Sequence, residues 1–488
     1  MRLSRRDFLS LGSLGLLGLG LAQETEPPSC NADLHFLNRI SYGAKPEDVQ
    51  RLSELGKEAY LDEQLFPASL ADDEAEQRLS LHPLLNMDRK TIYSLKNPQD
   101  RAYRGIIEGF LIRAIYGKKQ LLERTLEFWT DHFNVPFSFD NNAELVLLHR
   151  NLRQHSFGKF RDLLKVSAKS HAMLVYLDNA YSSKEHPNEN YARELLELHS
   201  LGVDGGYTET DVKEIARAFT GWTIHDRSED GFYFRAEDHD DGEKTILGHT
   251  LPAGRGIEDG LHVLSILANH PSTARFICSK LCQKFVSDAP PAELVNHLIS
   301  VWEISQGDIA AVLRTLFLSE AFNASSGQKL RRPLDFFIAA SRATGTEFHD
   351  WWQLQETLEH LGQPPYAWEP PNGYPDVAGA WLSTGGLLAR WNLATKLSHD
   401  AYSEPSEGWA LKVSLHEKIP DATNVGDLVA KLSEQVFGAD LGPESLEPFI
   451  QFASDGAGPD EPVTLALRGR KLASLYSLML SSPQFQWR

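Results

Sequence analysis

Residues 100–133 read DRAYRGIIEGFLIRAIYGKKQLLERTLEFWTDHF, and the apolar spacing in this stretch decides the fold class. Tyr103, Ile106, Phe110, Ala114, Leu121 and Leu122 recur at helical intervals. The pattern predicts one long amphipathic helix, or two if Gly117 breaks it. The same period extends outward on both sides. A helix is expected at 46–65, entered by a proline in its first turn. Others follow at 142–155, 160–170, 188–201, 208–221, 256–269, 272–286, 291–305, 308–319, 333–343 and 351–361. The C-terminal half adds 380–398, 425–437 and 462–480. Thr208 and Asp308 stand where N-caps belong, and Gly202 and Gly221 where helices stop. Strand signals are few: 231–235 and 245–247 are expected to pair as a short hairpin. The expected fold is therefore mainly α, a large multi-helix single domain over 33–488 with long ordered loops and at most a small β-hairpin. The most linker-like stretch is 401–408.

Ahead of this domain, Ser4-Arg5-Arg6-Asp7-Phe8-Leu9 is a twin-arginine core, followed by an apolar run from Leu11 to Leu21 and a small-residue exit at Gly20-Leu21-Ala22. Residues 1–22 are read as a twin-arginine signal peptide and 23–32 as a short linker. The apolar run is too short to span a bilayer, which needs roughly 20 residues, so no transmembrane span is expected after signal cleavage. The chain is expected to meet the Tat export machinery in transit and to work in the periplasm or outside the cell. That route carries folded cargo, which hints at a cofactor loaded before export.

Of 488 residues, 42% are hydrophobic and ten are tryptophan, enough for a real core. The net charge of −19 becomes −21 once the leader, with its three arginines and one aspartate, is removed. So acidic a chain is not expected to bind nucleic acid or anionic membrane. Cysteine is scarce. Cys278 and Cys282 share a helix face at a spacing that rarely closes into a disulfide, so both are read as buried thiols.

The densest cluster of ionisable groups is His186-Pro187-Asn188-Glu189-Asn190-Tyr191-Ala192-Arg193-Glu194, running on through Glu197 to His199. Asn190, Glu194 and Glu197 share one helix face, with Arg193 beside them. Three readings stay open: a solvated face of i,i+4 ion pairs, a buried polar network, or a metal or acid/base site. Phe128-Trp129-Thr130-Asp131-His132-Phe133 is the second candidate, with His132 at a helix C-terminus, where the dipole favours a protonated imidazole. The third is Glu237-Asp238-His239-Asp240-Asp241-Gly242-Glu243-Lys244. Its oxygen density suits a hard cation but lacks EF-hand spacing. Trp222 reads as core packing or as a platform for a sugar ring. Long loops at 223–255 and 362–377 carry the remaining candidates, Tyr366, Trp368 and Tyr374 among them. No GxSxG, HExxH or paired CxxC motif is present.

At these residues the chain resembles the bacterial family called domain of unknown function 1800. The resemblance runs from His35-Phe36-Leu37-Asn38-Arg39 through the Phe128–Phe133 motif and Asn188-Glu189-Asn190-Tyr191-Ala192-Arg193-Glu194-Leu195. It continues through Ala216-Arg217-Ala218-Phe219-Thr220-Gly221-Trp222, His239-Asp240 with Lys244, and Ala274-Arg275-Phe276 with Lys280. Leu330-Arg331-Arg332-Pro333, Gly362-Gln363-Pro364-Pro365, Gly373-Tyr374-Pro375-Asp376 and Ser481-Ser482-Pro483 complete the series in order. It implies export and one continuous unit, but no reaction and no catalytic residues. Asp131 stands where the family commonly has asparagine, and Phe219 where it has leucine.

The expectation from sequence is an exported enzyme, metal- or acid/base-dependent, acting on a carbohydrate-like or other polymer fragment. Glu189, Arg193, Glu194 and His132 are its candidate catalytic groups. His132, Glu189, Glu194, His239 and Asp240 are the candidate metal ligands. Trp222, Lys244, Tyr366, Trp368 and Tyr374 are the candidate ligand-binding residues. The sequence identifies no cofactor; a divalent metal is the one these side chains would suit. The alternative is a non-catalytic envelope binding or scaffold protein with an unknown partner, and a third reading is a cofactor-binding redox protein.

Overall fold

The computed structural model describes residues 31–138, 141–225, 228–348, 351–400, 411–412, 421–438 and 441–488. The expected signal peptide, nearly all of the linker and the stretch 401–408 lie outside the described residues. The 100–133 pattern folds as two helices, α1 (Pro98–Tyr116) and α2 (Gln120–His132). The break falls at Gly117, where a Cβ would lie 2.4 Å from the Arg113 carbonyl oxygen. Gln120 closes the corner. Its amide nitrogen donates to the carbonyls of Ala114 (3.0 Å) and Gly117 (2.8 Å), and its oxygen accepts from the Tyr42 N–H (3.2 Å). Carbonyls that the end of α1 leaves free are thus satisfied by the first residue of α2.

The helices that frame the site follow in order: α3 (Asn142–His155), α4 (Phe160–Ala168), α5 (Glu189–Glu197), α6 (Glu209–Ala218), α7 (Pro271–Phe285) and α8 (Pro333–Thr344). Asn188 caps α5 through its side chain and Thr208 caps α6 with a reciprocal bond from Asp211. The expected 46–65 helix divides at Gly56 into Pro46–Leu55 and Lys57–Leu65, and Pro443–Ala453 is a helix that periodicity had not marked. The fold is mainly α and a single domain. No described helix is long and apolar enough to cross a membrane.

The strand pairing differs from expectation. Phe232–Phe234 pairs antiparallel with Trp222–Ile224, and Lys244–Ile246 with His249–Leu251, so 231–235 and 245–247 are not partners. Leu247 and Gly248 both have positive φ, the requirement of a two-residue type I′ turn, and a tight turn outcompetes a distant partner. Glu347–Phe348 and Leu411–Lys412 form a third short pair.

Two apolar clusters make the core. One gathers residues from Leu34 to Phe322, and the other is built mainly from the C-terminal third. Helix α1 serves both, giving Ala102 and Ile106 to the first and Ile107, Phe110, Leu111 and Ala114 to the second. Helix α2 is buried all round from Gln120 to Trp129. Its apolar side packs into the first cluster, while Arg124, Glu127 and Asp131 at spacings of three and four point to partners from remote segments.

Arg124 meets Asp335 at 2.5 Å, and Arg488 reaches the other oxygen of the same carboxylate at 2.8 Å. Arg332 bonds both Glu127 and Asp131, the latter at 2.8 Å. Lys284 lies 3.3 Å from Glu127 and 3.6 Å from Asp376, and the Tyr42 hydroxyl donates to Glu127 at 3.0 Å. Lys329 joins Asp376 at 3.2 Å to Asp288 at 2.6 Å. Cations and carboxylates balance five to five, as buried charge demands. Cys278 and Cys282 are buried free thiols as expected, and burial raises the proton affinity of both.

Burial alone would raise the Asp335 carboxyl, but Arg124 and Arg488 pull it well below the usual value. Asp376 is lowered in the same way by Lys284, Arg332 and Lys329 against its burial. Between the ordinary aspartate value of about 3.9 and these depressed ones, the unfolded chain binds more protons than the folded one. The stabilisation is therefore complete above about pH 4 and drains away as the pH falls further. Asp335→Asn should lower stability by about 3–5 kcal/mol at pH 7, since it strands two buried guanidinium groups. It should also flatten the acid limb of a stability curve measured by urea unfolding from pH 7 to 3. Glu63→Gln, which breaks a surface pair with Arg51, should cost less than about 1 kcal/mol.

Candidate functional site

The C-terminal end of α2 opens onto a corner built from three other elements. From α2 and the residues after it come Asp131, His132 and Asn134. Helix α7 brings Phe276 and Lys280, the segment after α5 brings His199, and the 364–376 loop closes over the top. The loop is fixed tightly. A Cβ on Gly373 would lie 2.0 Å from the Asp131 carbonyl oxygen, so only glycine permits the approach, and its φ of +70° suits glycine too. The Asn134 side-chain nitrogen donates to the carbonyls of Trp368 (2.7 Å) and Pro370 (2.8 Å). The Tyr176 hydroxyl donates to the Glu369 carbonyl at 2.5 Å, and Lys329 to that of Asp376 at 2.6 Å.

At the centre, His132 Nε2 lies 3.2 Å from the His199 carbonyl, and Lys280 Nζ lies 3.0 Å from His132 Nδ1. A carbonyl can only accept, so the proton sits on Nε2 and Nδ1 presents its lone pair to the lysine. Burial first, and then the positive charge of Lys280, pushes the His132 imidazole well below its ordinary value, which keeps it neutral. The protonated imidazole expected from the helix dipole is not formed, because burial outweighs the dipole. His199 is lowered to about 3 by the same two causes.

Lys280 is the unusual member. It is half-buried, its ammonium faces the rings of Phe276 (5.4 Å) and Phe128 (5.9 Å), and among the described residues it makes no ion pair. Burial lowers it to about 8, against the pull of Asp131 and Asp376, whose charges are bound to Arg332, Lys284 and Lys329. Asp131 is itself raised by burial, opposed by Arg332. Beside this corner the 364–381 segment presents an aromatic strip, with Trp368 5.1 Å from Tyr374 and Tyr374 5.9 Å from Trp381.

The residues singled out from sequence go to several places. Glu189 is exposed on the first turn of α5, and Arg193 pairs with Glu209 at 2.8 Å on the surface. Glu194 is half-buried, raised by burial and by Glu197, and lies near Tyr176 on the rim of the corner. His239 is buried, with Nδ1 2.8 Å from the Thr220 carbonyl and Nε2 3.4 Å from Asp259. Asp240 is held by Arg217 at 2.7 Å and lowered to about 2, chiefly by that hydrogen bond. Lys244 turns inward to Asp259 at 2.8 Å and to the backbone carbonyls of Asp240 and Gly242. Trp222 is fully buried against Phe219 and Phe232. Tyr366 bonds His149, and with Glu127, Asp131 and Gln363 it lines a cavity of about 30 Å³, room for water and not for a substrate.

So His132, Trp368 and Tyr374 meet at one corner with Glu194 on its rim, while His239, Asp240, Lys244 and Trp222 belong to a separate packed cluster. Among the described residues no group of three or more His, Cys, Asp or Glu side chains is placed to hold a metal ion. The five residues named as metal ligands are divided between these two places and the exposed face of α5.

The sequence pattern of the family described as protein of unknown function (DUF1800) matches residues 35–487. The chain belongs to this family. No curated protein and no solved structure matches it. In this DUF1800 chain, motifs far apart in sequence, Phe128–Phe133, Phe276 with Lys280 and Gly373–Asp376, converge on the corner at the end of α2.

Sequence reasoning gave Lys280 no role, although its spacing from Phe276 and Lys284, four residues each way, was a visible signal of one helix face. Asp376 and Trp381 were missed because their partners lie 47 or more residues away or in the same loop. Two outcomes test the geometry. Histidine-selective NMR should find His132 neutral as the Nε2–H tautomer at pH 6, and Lys280→Met should raise its pKa by removing a neighbouring positive charge. Gly373→Ala should detach the loop, detected as faster proteolysis between 364 and 376.

Proposed function

We propose that the chain is an exported acid/base enzyme in which Lys280 transfers the proton and His132 positions it. One observation carries the reading: the Lys280 side chain is half-buried, outside any ion pair among the described residues, and its amine is aimed by a hydrogen bond to a neutral imidazole. An ammonium lowered to about 8 exists in both protonation states near neutral pH, which is what proton transfer in both directions requires. The His199 carbonyl fixes the His132 tautomer, and His132 in turn fixes the direction of the amine. The neutral amine accepts a proton from the substrate, and the ammonium returns it to the leaving group. Among the described residues no metal-ligand group is formed, so no step is routed through a metal.

The substrate is a carbohydrate-like fragment. The strip of Trp368, Tyr374 and Trp381 offers apolar ring faces beside a polar corner, the arrangement that stacks a sugar ring while its hydroxyls are bonded. The twin-arginine leader supports work outside the cytoplasm. A second reading, a non-catalytic envelope scaffold, has its own support: most ionisable motif residues are spent on internal ties, Arg332 with Glu127 and Asp131, Lys244 with Asp259, and Arg217 with Asp240.

Two measurements separate them. Trace acylation followed by mass spectrometry should show Lys280 gaining reactivity through about pH 8, while surface lysines follow the ordinary value of about 10.4. A panel of envelope polysaccharide fragments should contain one that the wild-type chain turns over, with a rate that rises through pH 8. Lys280→Met should cut that rate by about 10²–10⁴ without moving the melting temperature. An ordinary Lys280 titration together with no turnover leaves the scaffold reading standing and this one refuted.

A further inference from the structure

A second opening lies where the last turn of α1 meets the start of α2. Arg113 reaches it from α1, Lys119 from the residue before α2, and Arg153 from α3. Ala75 and Leu79 of the helix Asp73–Leu79, with Pro83 of the turn after it, supply an apolar wall. The cavity measures about 510 Å³, within the roughly 300–1,000 Å³ of small-molecule sites. It shares no residue with the Lys280 corner.

The nearby carboxylates are already occupied. Arg153 gives Nε (2.9 Å) and Nη2 (2.7 Å) to one oxygen of Glu123, whose other oxygen is buried. Asp72 accepts from the Lys118 N–H at 2.9 Å and from that of Lys119, so it satisfies backbone donors at the start of α2. Both carboxylates act on Arg113 through their charge, and neither stands at ion-pair distance from it. Arg113 is half-buried, and its guanidinium makes no hydrogen bond or ion pair among the described residues. None of its three nitrogens is sealed in the packing. Burial lowers Arg113 from its ordinary value, against the pull of Glu123 and with the push of Arg153. A guanidinium near a second one, its donors unused and reachable from a cavity, is a preformed fork for a carboxylate.

We infer that this cavity binds a small organic carboxylate with an apolar body. The carboxylate takes two parallel bonds from Arg113, and Lys119 and the Arg153 guanidinium add positive charge around it. The body lies on Ala75, Leu79 and Pro83. One negative charge suits the site better than two, because Glu76 lines the exposed rim and Asp72 the interior. A neutral or cationic ligand would leave Arg113 without a partner. The site does not depend on what the Lys280 corner does.

Isothermal titration of the mature chain with 2-naphthoate, 2-naphthamide, 2-naphthylmethylamine and 2-naphthyl phosphate tests the assignment. Naphthoate should bind saturably and about tenfold or more tighter than the other three. Arg113→Met should lose that preference without lowering the melting temperature, since the side chain has no partner to lose. Glu76→Gln and Lys119→Met test the same charge from the rim: the first should tighten naphthoate and the second weaken it. Lys280→Met should leave binding intact. Absence of saturable naphthoate binding to the wild-type chain means that water alone fills the cavity, and the proposal fails. Naphthamide binding as tightly as naphthoate, naphthoate binding that survives Arg113→Met, or rim variants that shift it in the reverse order overturn it equally.

Discussion

The structure depends on the charge carried by the inner side of α2. This helix is buried on every side from Gln120 to Trp129, yet it holds Arg124 and Glu127 away from solvent, with Asp131 at its half-buried end. Each must be matched by an opposite charge in the right place, since an uncompensated buried ion costs several kcal/mol. The matching groups come from Lys284, Arg332, Asp335, Asp376 and Arg488, all at least 150 residues further along the chain than Arg124. The C-terminal half therefore has to return to α2 in one register. A buried ion pair is weak evidence for stability, because an apolar replacement often does as well. What this network supplies is selection: a helix α8 shifted by one residue would leave Asp335 away from Arg124, and the error would be expensive. It also joins two apolar clusters that otherwise share only α1 and a few side chains.

Much of the fold was legible because amphipathic helices announce themselves locally. The 100–133 pattern gave both helices and the break at Gly117, since spacing and glycine sit in the same short window. Strand pairing was not legible in the same way. Trp222–Ile224 and Phe232–Phe234 are three residues each, too short for alternation to stand out, and their pairing is decided by the turn between Leu247 and Gly248 claiming the other candidate. Of the candidate site, His132, Trp368 and Tyr374 were found because aromatic residues around a histidine are conspicuous. Lys280 was not, because its meaning is set by what is missing around it, and sequence does not display missing partners.

The 237–244 segment shows the same limit from the other side. Its oxygen density suggested a cation site, and the reading failed to weigh the lysine at its end. Lys244 is buried and turned inward, where its ammonium takes the place a metal ion would occupy among Asp259, the Asp240 carbonyl and the Gly242 carbonyl. Arg217 takes Asp240, and His239 is spent on Thr220 and Asp259. Much of this acid-rich loop is thus tied by internal bonds. Composition alone cannot distinguish a set of ligands waiting for a cation from a set that already holds one.

The comparison that isolates Lys280 lies within α7 itself. Lys280 and Lys284 are four residues apart on one helix face, about 6 Å along the axis by helix geometry. Lys284 faces Glu127 and Asp376, so its charge is answered. Lys280 faces an imidazole that can only accept one of its protons, and two aromatic rings. Two buried arginines are also short of carboxylates: Arg331 donates to the Phe485 carbonyl and to Asn38, and Arg390 to Gln486. An arginine in that position stays charged and serves as a fixed donor. A lysine in that position can give its proton away. The network that neutralises α2 reaches within one turn of Lys280 and stops there, which leaves that amine, unlike Lys284, with no carboxylate partner among the described residues.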